Sequence, residues 1–328
     1  QLPLGLVLDR FGPRRVNAAL ISVAALGALL FSVGTTATEL TIARGLIGLG
    51  CSAALMASIK AFIVWFPMER QPVLTGWLLA IGGLGAMAGT APVEWLVGTI
   101  GWRQMFVGLT GVTLFVALVL IVVVPERTAT EAPESFRKLM DGLRQVLTDG
   151  YFWAIALIGI CAQGAGISLQ TLWVAPWLRD VMGIPRGEAS VYLLAMNFSL
   201  VAGFLLFGQL TDRLTKFGIG PERLLIIGVI VEALALLVLA SGWHAVAIGA
   251  WLVLHLSVGV SPVTYALLSR RFAKSLTGRT ATSANMCVFV AAFAFQFGVG
   301  AVLDRNPEGA GYAQAGYAIA FVVITVLQ

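Results

Sequence analysis

A few polar side chains set inside long apolar runs are where this sequence could do chemistry. Arg44 and Glu94 each interrupt such a run, near what would be the same end of two neighbouring helices. An acid and a base in one low-dielectric layer attract strongly, and can exchange that partner for a proton or an anionic solute. A structural ion pair uses the same two residues, because buried charges need partners. Arg44 also stands only five residues from Glu39, about 7 Å of helix rise, which lets it snorkel to the interface. Lys60 follows Arg44 by 16 residues, about 160° around a helix, so the two share no stripe. Lys60 either snorkels to headgroups or, facing a cavity, favours an anion. Gln163, Gln170 and Trp177 are spaced by seven, drifting only about 20° per step, and so share a helix face. Trp173 lies on the same run, Asn285 and Gln296 share a face eleven residues apart, and Asn197 sits within another run. These groups line a solute path or hydrogen-bond between helices, which employs the same residue types. His255, midway along a run and on the face of Ser261-Pro262, is a proton-coupling candidate or a satisfied packing residue.

Membrane-spanning helices must hold these groups. Of 328 residues, 59% are hydrophobic and 11% charged, and the mean hydropathy is +0.91. A soluble domain carries about 25% charged residues, so a water-facing surface cannot be covered here and a soluble enzyme is excluded. Apolar blocks of about 20 residues match a hydrocarbon core of about 30 Å. They predict ten helices, at 16–34, 40–65, 73–97, 103–124, 151–178, 189–211, 222–241, 243–268, 280–303 and 311–328, with a stub at 1–8. The fold class is all-α, a polytopic membrane helix bundle. The net charge of +5 does not point to nucleic acid, because the basic residues sort by side. Fifteen of the 21 Lys and Arg fall on one side, while Arg103, Arg179, Arg186 and Arg305 fall on the other, which places the first set in the cytoplasm. Residues 1–124 form one half-bundle and 151–328 a second. The linker 125–150 carries Phe136, Leu139, Met140, Leu143, Val146 and Leu147 on one helical stripe. That stripe suits a helix on the cytoplasmic membrane face, or one packed on loops. Cys51, Cys161 and Cys287 lie in apolar runs with no nearby His or Asp, so neither a metal site nor a disulfide framework is expected.

The chain repeats itself. Gly5, Asp9 and Arg10 recur as Gly208, Asp212 and Arg213, shifted by 203 residues, and Leu74-Thr75-Gly76 recurs as Leu276-Thr277-Gly278, shifted by 202. A repeat that keeps its side of the membrane contains an even number of helices, here six, which makes two parallel halves. The run from Gly5 through Asp9-Arg10-Phe11-Gly12-Pro13 to Arg14-Arg15 resembles the signature between helices two and three of the major facilitator superfamily. Glycine permits close helix approach, and Asp9 with the arginines can form a charge-assisted network. The resemblance implies a six-plus-six bundle, here a fragment lacking the first helix and most of the second. It also assigns Gly5, Asp9, Arg10, Gly12, Arg14, Arg15, Gly208, Asp212 and Arg213 to closure of the cytoplasmic side. The second copy has Thr215 in place of a glycine. Leu40, Arg44, Gly48 and Gly50 resemble the family's helix-four signature, whose arginine is associated with proton coupling, although Ile47 replaces the usual glutamine. Gly82, Gly83, Gly85, Gly89 and Pro92 match its antiporter motif only in part, interrupted by Val93-Glu94-Trp95. Antiport is therefore not inferred.

These features predict a secondary active transporter of a small solute, working by alternating access, proton-coupled and leaning to an organic anion. The alternative is a transport-inactive permease-like sensor or membrane assembly partner, against which stand the intact first signature and the polar stripes. No His-Glu-x-x-His pattern, paired intramembrane aspartates or activated serine suggests an enzyme. The expected partners are a small-molecule solute, protons and the lipid bilayer, with no cofactor, no metal and no nucleic acid. A monomer is expected, multi-pass in the cell membrane, a bacterial inner membrane, with the linker 125–150 cytoplasmic.

Overall fold

The computed structural model describes residues 7–8, 11–67, 70–125, 136–273, 276–309 and 311–328. It divides into two compact units, Gln1–Leu139 and Met140–Gln328. Among the described residues, eight helices are long and apolar enough to cross a membrane.

In the first unit, α1 (Pro13–Val33) packs along α2 (Ala37–Cys51) and α6 (Trp102–Val123). Gly12, at φ 78, turns the chain into α1, and Pro13 opens the helix, where its missing N–H costs nothing. Ala24, Ala25 and Ala28 are buried. A Cβ on Gly27 would lie 2.7 Å from the Ile47 nitrogen and 2.9 Å from the Ala43 oxygen, so these small residues let two backbones touch. The run predicted at 40–65 is interrupted at Ser52–Ala53 and continues as α3 (Ala54–Trp65). That predicted at 73–97 divides at Gly89–Thr90 into α4 (Gln71–Ala88) and α5 (Ala91–Ile100). Pro92 opens α5; lacking an N–H, it cannot continue the preceding ladder.

Helix α7 (Phe136–Leu147) spans the division between the units. Leu143 and Val146 are buried, Val146 against Phe152, Ile160, Leu268 and Val288, whereas Met140 is exposed. This part of the stripe therefore packs against residues of the second unit. Those residues offer a matching apolar surface, and Asp149 anchors the junction by accepting from the Phe152 N–H at 3.0 Å and from Arg271 at 3.3 Å.

The second unit begins with one long span, α8 (Gly150–Ser168), a π-helical turn (Leu169–Trp173) and α9 (Val174–Asp180). It continues with α10 (Arg186–Lys216), α11 (Pro221–Ala240), α12 (His244–Val258), α13 (Pro262–Arg271) and α14 (Thr277–Leu303). An antiparallel hairpin, β1 (Pro307–Glu308) with β2 (Gly311–Tyr312), leads to α15 (Gln314–Leu327). The span predicted at 243–268 thus breaks at 259–261, before Pro262. Tight bonds from Val260 to Ser257 and from Ser261 to Val258 replace the α-helical pattern there, since Pro262 has no N–H to give. Leu169, Trp177, Leu178, Met196, Leu236, Trp251 and Phe321 form the core.

Candidate functional site

The polar residues of the second unit pair across its helices. Gln170, inside the π turn, donates its amide to Asn197 Oδ1 on α10 at 2.8 Å, and Asn197 donates to the Leu193 carbonyl at 2.9 Å. Below it on α8, Gln163 accepts at 3.2 Å from the hydroxyl of Tyr265 on α13, which also lies 3.4 Å from Asn285 Oδ1 on α14. Gln296 of α14 donates to the Thr171 hydroxyl at 2.9 Å. Five elements, α8, the π turn, α10, α13 and α14, are thereby joined by neutral amides and hydroxyls. Among the described residues the Gln170 carbonyl oxygen and the Gln163 amide N–H groups carry no partner. These open groups can receive or give hydrogen bonds to a hydroxylated solute.

The π turn decides how the span presents itself. Its wider i→i+5 spacing resets the helical register, and such turns recur at functional sites. The seven-residue stripe is therefore not one surface. Gln170 turns to Asn197, while Trp177 is fully buried and meets the Trp251 ring edge-on at 5.6 Å. Trp173 is also buried, against Tyr312 and alongside Gly300. Its place is in the apolar core of the second unit.

His255 is 1% exposed. Its Nδ1 lies 2.8 Å from the Trp251 carbonyl, an oxygen that only accepts, so Nδ1 carries the proton. Its Nε2 is buried with no partner among the described residues. Glu232, for which the sequence offered no role, is fully buried in α11, where Oε1 accepts from Gln328 at 2.9 Å.

In the first unit the guanidinium of exposed Arg44 lies over the Phe31 ring, 5.7 Å from its centroid. Glu94 is half-buried in the first turn of α5. The side chain of Lys60 lies outside the described residues. Of the signature, Gly5, Asp9 and Arg10 fall outside them too, as does the side chain of Asp212. Arg14 donates to the Ile121 carbonyl at 2.6 Å, joining α1 to the far end of α6. Arg15, Gly208 and Arg213 are exposed.

Sequence reasoning missed Tyr265, Thr171 and Asp180. Tyr265 is a polar-tipped aromatic three residues beyond the Pro262 break, a signal that was available. Asp180 ends α9, where the helix dipole disfavours a carboxylate. It accepts from the Tyr317 hydroxyl at 2.8 Å and the Tyr312 N–H at 3.3 Å. Tyr312 in turn donates to Asp304 at 3.2 Å. Desolvation, then that bond and the charges of Asp304 and Asp180, raise the Tyr312 hydroxyl above its ordinary pKa, so it stays a donor.

Comparison with known proteins accords with this architecture. The sequence model of the Major Facilitator Superfamily matches residues 1–296. The chain is 22% identical over 239 residues to the "Probable sulfoacetate transporter SauU" of Cupriavidus necator, covering 66% of this chain and 53% of that protein. It is 23% identical over 242 residues to the hexuronate transporter of Escherichia coli K12, covering 66% and 54%. It thus spans about half the length of these curated relatives. The crystal structure of a D-xylose-proton symporter superposes with a TM-score of 0.70 at 19% identity, over 99% of this chain and 83% of that one.

Proposed function

Because the chain belongs to the major facilitator superfamily, a family of membrane transporters and not of enzymes, we propose that it moves a small organic anion across the membrane by alternating access, coupled to protons. The observation that carries this reading is the set of amide and hydroxyl pairs linking the π turn, α10, α13 and α14, with open hydrogen-bonding groups on Gln163 and Gln170. Gln163, Gln170, Asn197, Asn285 and Gln296 are the proposed solute contacts, with Tyr265 and Thr171 orienting them. Neutral groups of this kind bind hydroxyls well but do not by themselves favour a negative charge. Arg44 and Lys60 supply that preference in the first unit. The substrates for which two relatives are named, sulfoacetate and hexuronate, are acids and support the same lean. Glu94 and His255 are the proposed proton-handling groups. Residues Gly5 to Arg15 and their second copy, Gly208, Asp212 and Arg213, are proposed to hold the cytoplasmic side closed. The proposed setting is a bacterial inner membrane, with the linker cytoplasmic and the protein monomeric.

The test is internal pH in proteoliposomes of the full-length protein as hexuronates, sulfoacetate and neutral sugars are added in turn. An acid, and not a neutral sugar, is expected to drive proton movement. Gln170→Ala is expected to slow that movement about tenfold, the equivalent of one hydrogen bond of about 1.4 kcal/mol. Proton movement driven equally by neutral sugars, or undiminished in Gln170→Ala, would overturn the reading.

A further inference from the structure

One cation of the first unit is unexplained by the fold. Arg44 belongs to a span, Ala37–Ile59, yet among the described residues its guanidinium has no hydrogen-bond acceptor and no carboxylate partner; its contact is the face of Phe31. A guanidinium at membrane depth is costly unless something satisfies its five donors. Arg103 is close by. The rings of Phe31 and Trp102 lie 5.7 Å apart, and those of Phe31 and Phe106 4.6 Å. Arg103 covers the Trp102 ring at 4.1 Å, and its Nη2 donates to the Gly34 carbonyl at 3.0 Å. Two guanidinium groups thus flank one aromatic cluster, which holds them by cation–π attraction; the Arg44 donors and those of Arg103 other than the one given to Gly34 have no partner among the described residues.

The acid closest to Arg44 along the chain is already committed. Oε2 of Glu39 accepts from Thr35 N at 2.8 Å, Thr35 Oγ1 at 3.3 Å and Thr36 N at 3.2 Å, closing a capping box at the start of α2. Its partners are thus the Thr35 and Thr36 groups of its own cap, and among the described residues it makes no ion pair with Arg44 or Arg103. The first turn of α6, which carries Arg103, has no acid and no side-chain cap, adding to the positive field.

We infer that Arg44 and Arg103, set around Phe31 and Trp102, form a binding site for an oxyanion, a phosphate or carboxylate, at the end of the first unit poor in Lys and Arg. The planar guanidinium fork suits such groups. Two sources offer this chemistry, an anionic lipid headgroup and a soluble acid. Arg44 stands about 10 Å of helix rise into α2, within snorkelling reach of a headgroup layer. The site needs α2 and α6 to span the membrane but does not depend on solute transport, so binding and flux can fail separately.

The test follows the fluorescence contributed by Trp102, taken as the difference between the full-length protein and its Trp102→Phe variant, in nanodiscs. One arm raises the phosphatidylglycerol fraction in phosphatidylcholine; the other titrates inorganic phosphate into pure phosphatidylcholine nanodiscs. A saturable response in the lipid arm alone identifies a headgroup site, in the phosphate arm alone a soluble-acid site, and in both the shared chemistry. In each case Arg44→Gln and Arg103→Gln are expected to weaken apparent affinity at least tenfold. Arg103→Gln also removes the bond to Gly34, so Arg44→Gln, which breaks no hydrogen bond of the fold, decides the matter if the other fails to fold. No response in either arm, or a response that Arg44→Gln leaves within twofold, overturns the inference.

Discussion

Gly203→Ala is expected to lower the thermal transition of the protein by about 6–12 °C, the equivalent of about 3 kcal/mol in a unit of this size. Gly203 on α10 lies directly against Gly259 and the Leu256 carbonyl, where α12 breaks before Pro262. A Cβ there would sit 3.0 Å from the Leu256 carbonyl carbon and 3.2 Å from the Gly259 Cα. Both neighbours are main chain, which cannot rotate aside as a side chain does. The two helices would have to separate, and with them the Ser199 hydroxyl bond to the Leu252 carbonyl at 2.7 Å. Gly249→Ala is the control: it lies on α12 in open space, where alanine, a better helix former by about 1 kcal/mol, leaves the transition unchanged or raises it. Thermal unfolding followed by tryptophan fluorescence in detergent separates the two. Equal transitions for both variants would show that the close approach of α10 and α12 contributes no stability.

Asp180→Ala is expected to destabilise the second unit by about 2–3 kcal/mol. Tyr317 is fully buried, and its hydroxyl is spent on Asp180. Removing the acceptor strands that donor, together with the Tyr312 N–H at 3.3 Å. Gly311 packs so closely that a Cβ would fall 2.6 Å from Asp180 Oδ1, so the hairpin cannot readily shift to offer a substitute. Asp180→Asn keeps an acceptor oxygen and relieves the unfavourable charge at the end of α9, worth about 0.3–1 kcal/mol. It is therefore expected to fall much closer to the native protein than Asp180→Ala does. Tyr317→Phe removes donor and bond together and is expected to lie between them. Chemical denaturation of the three variants checks the order; a loss in Asp180→Asn as large as in Asp180→Ala would mean that charge, and not acceptance, is what Asp180 supplies.

The amino-acid sequence by itself determined that this is a membrane helix bundle, because apolar length and the sidedness of Lys and Arg respond to the bilayer and need no knowledge of neighbours. It also determined the family, through the spacing of Gly5, Asp9, Arg10 and Gly12, and it marked Gln163, Gln170, Asn197, Asn285 and Gln296 as polar groups out of place in apolar runs. Partners were another matter. Gln163 meets Tyr265 across 102 residues and Asp180 meets Tyr317 across 137, and no local pattern encodes such distances. Spacing by seven treated Gln163, Gln170 and Trp177 as one surface, but periodicity assumes an unbroken helix, and the π turn at Leu169–Trp173 resets the register where tertiary contacts favour it. Proline foretold the break before Pro262, whereas the interruption at Ser52–Ala53 has no such mark in the sequence. Arg44 was legible as an expensive charge and Glu94 as its natural partner, yet the structure sets Arg44 over Phe31. Charge type is a property of the residue, but the direction in which a long side chain leaves its helix is settled by what the neighbouring helices present to it.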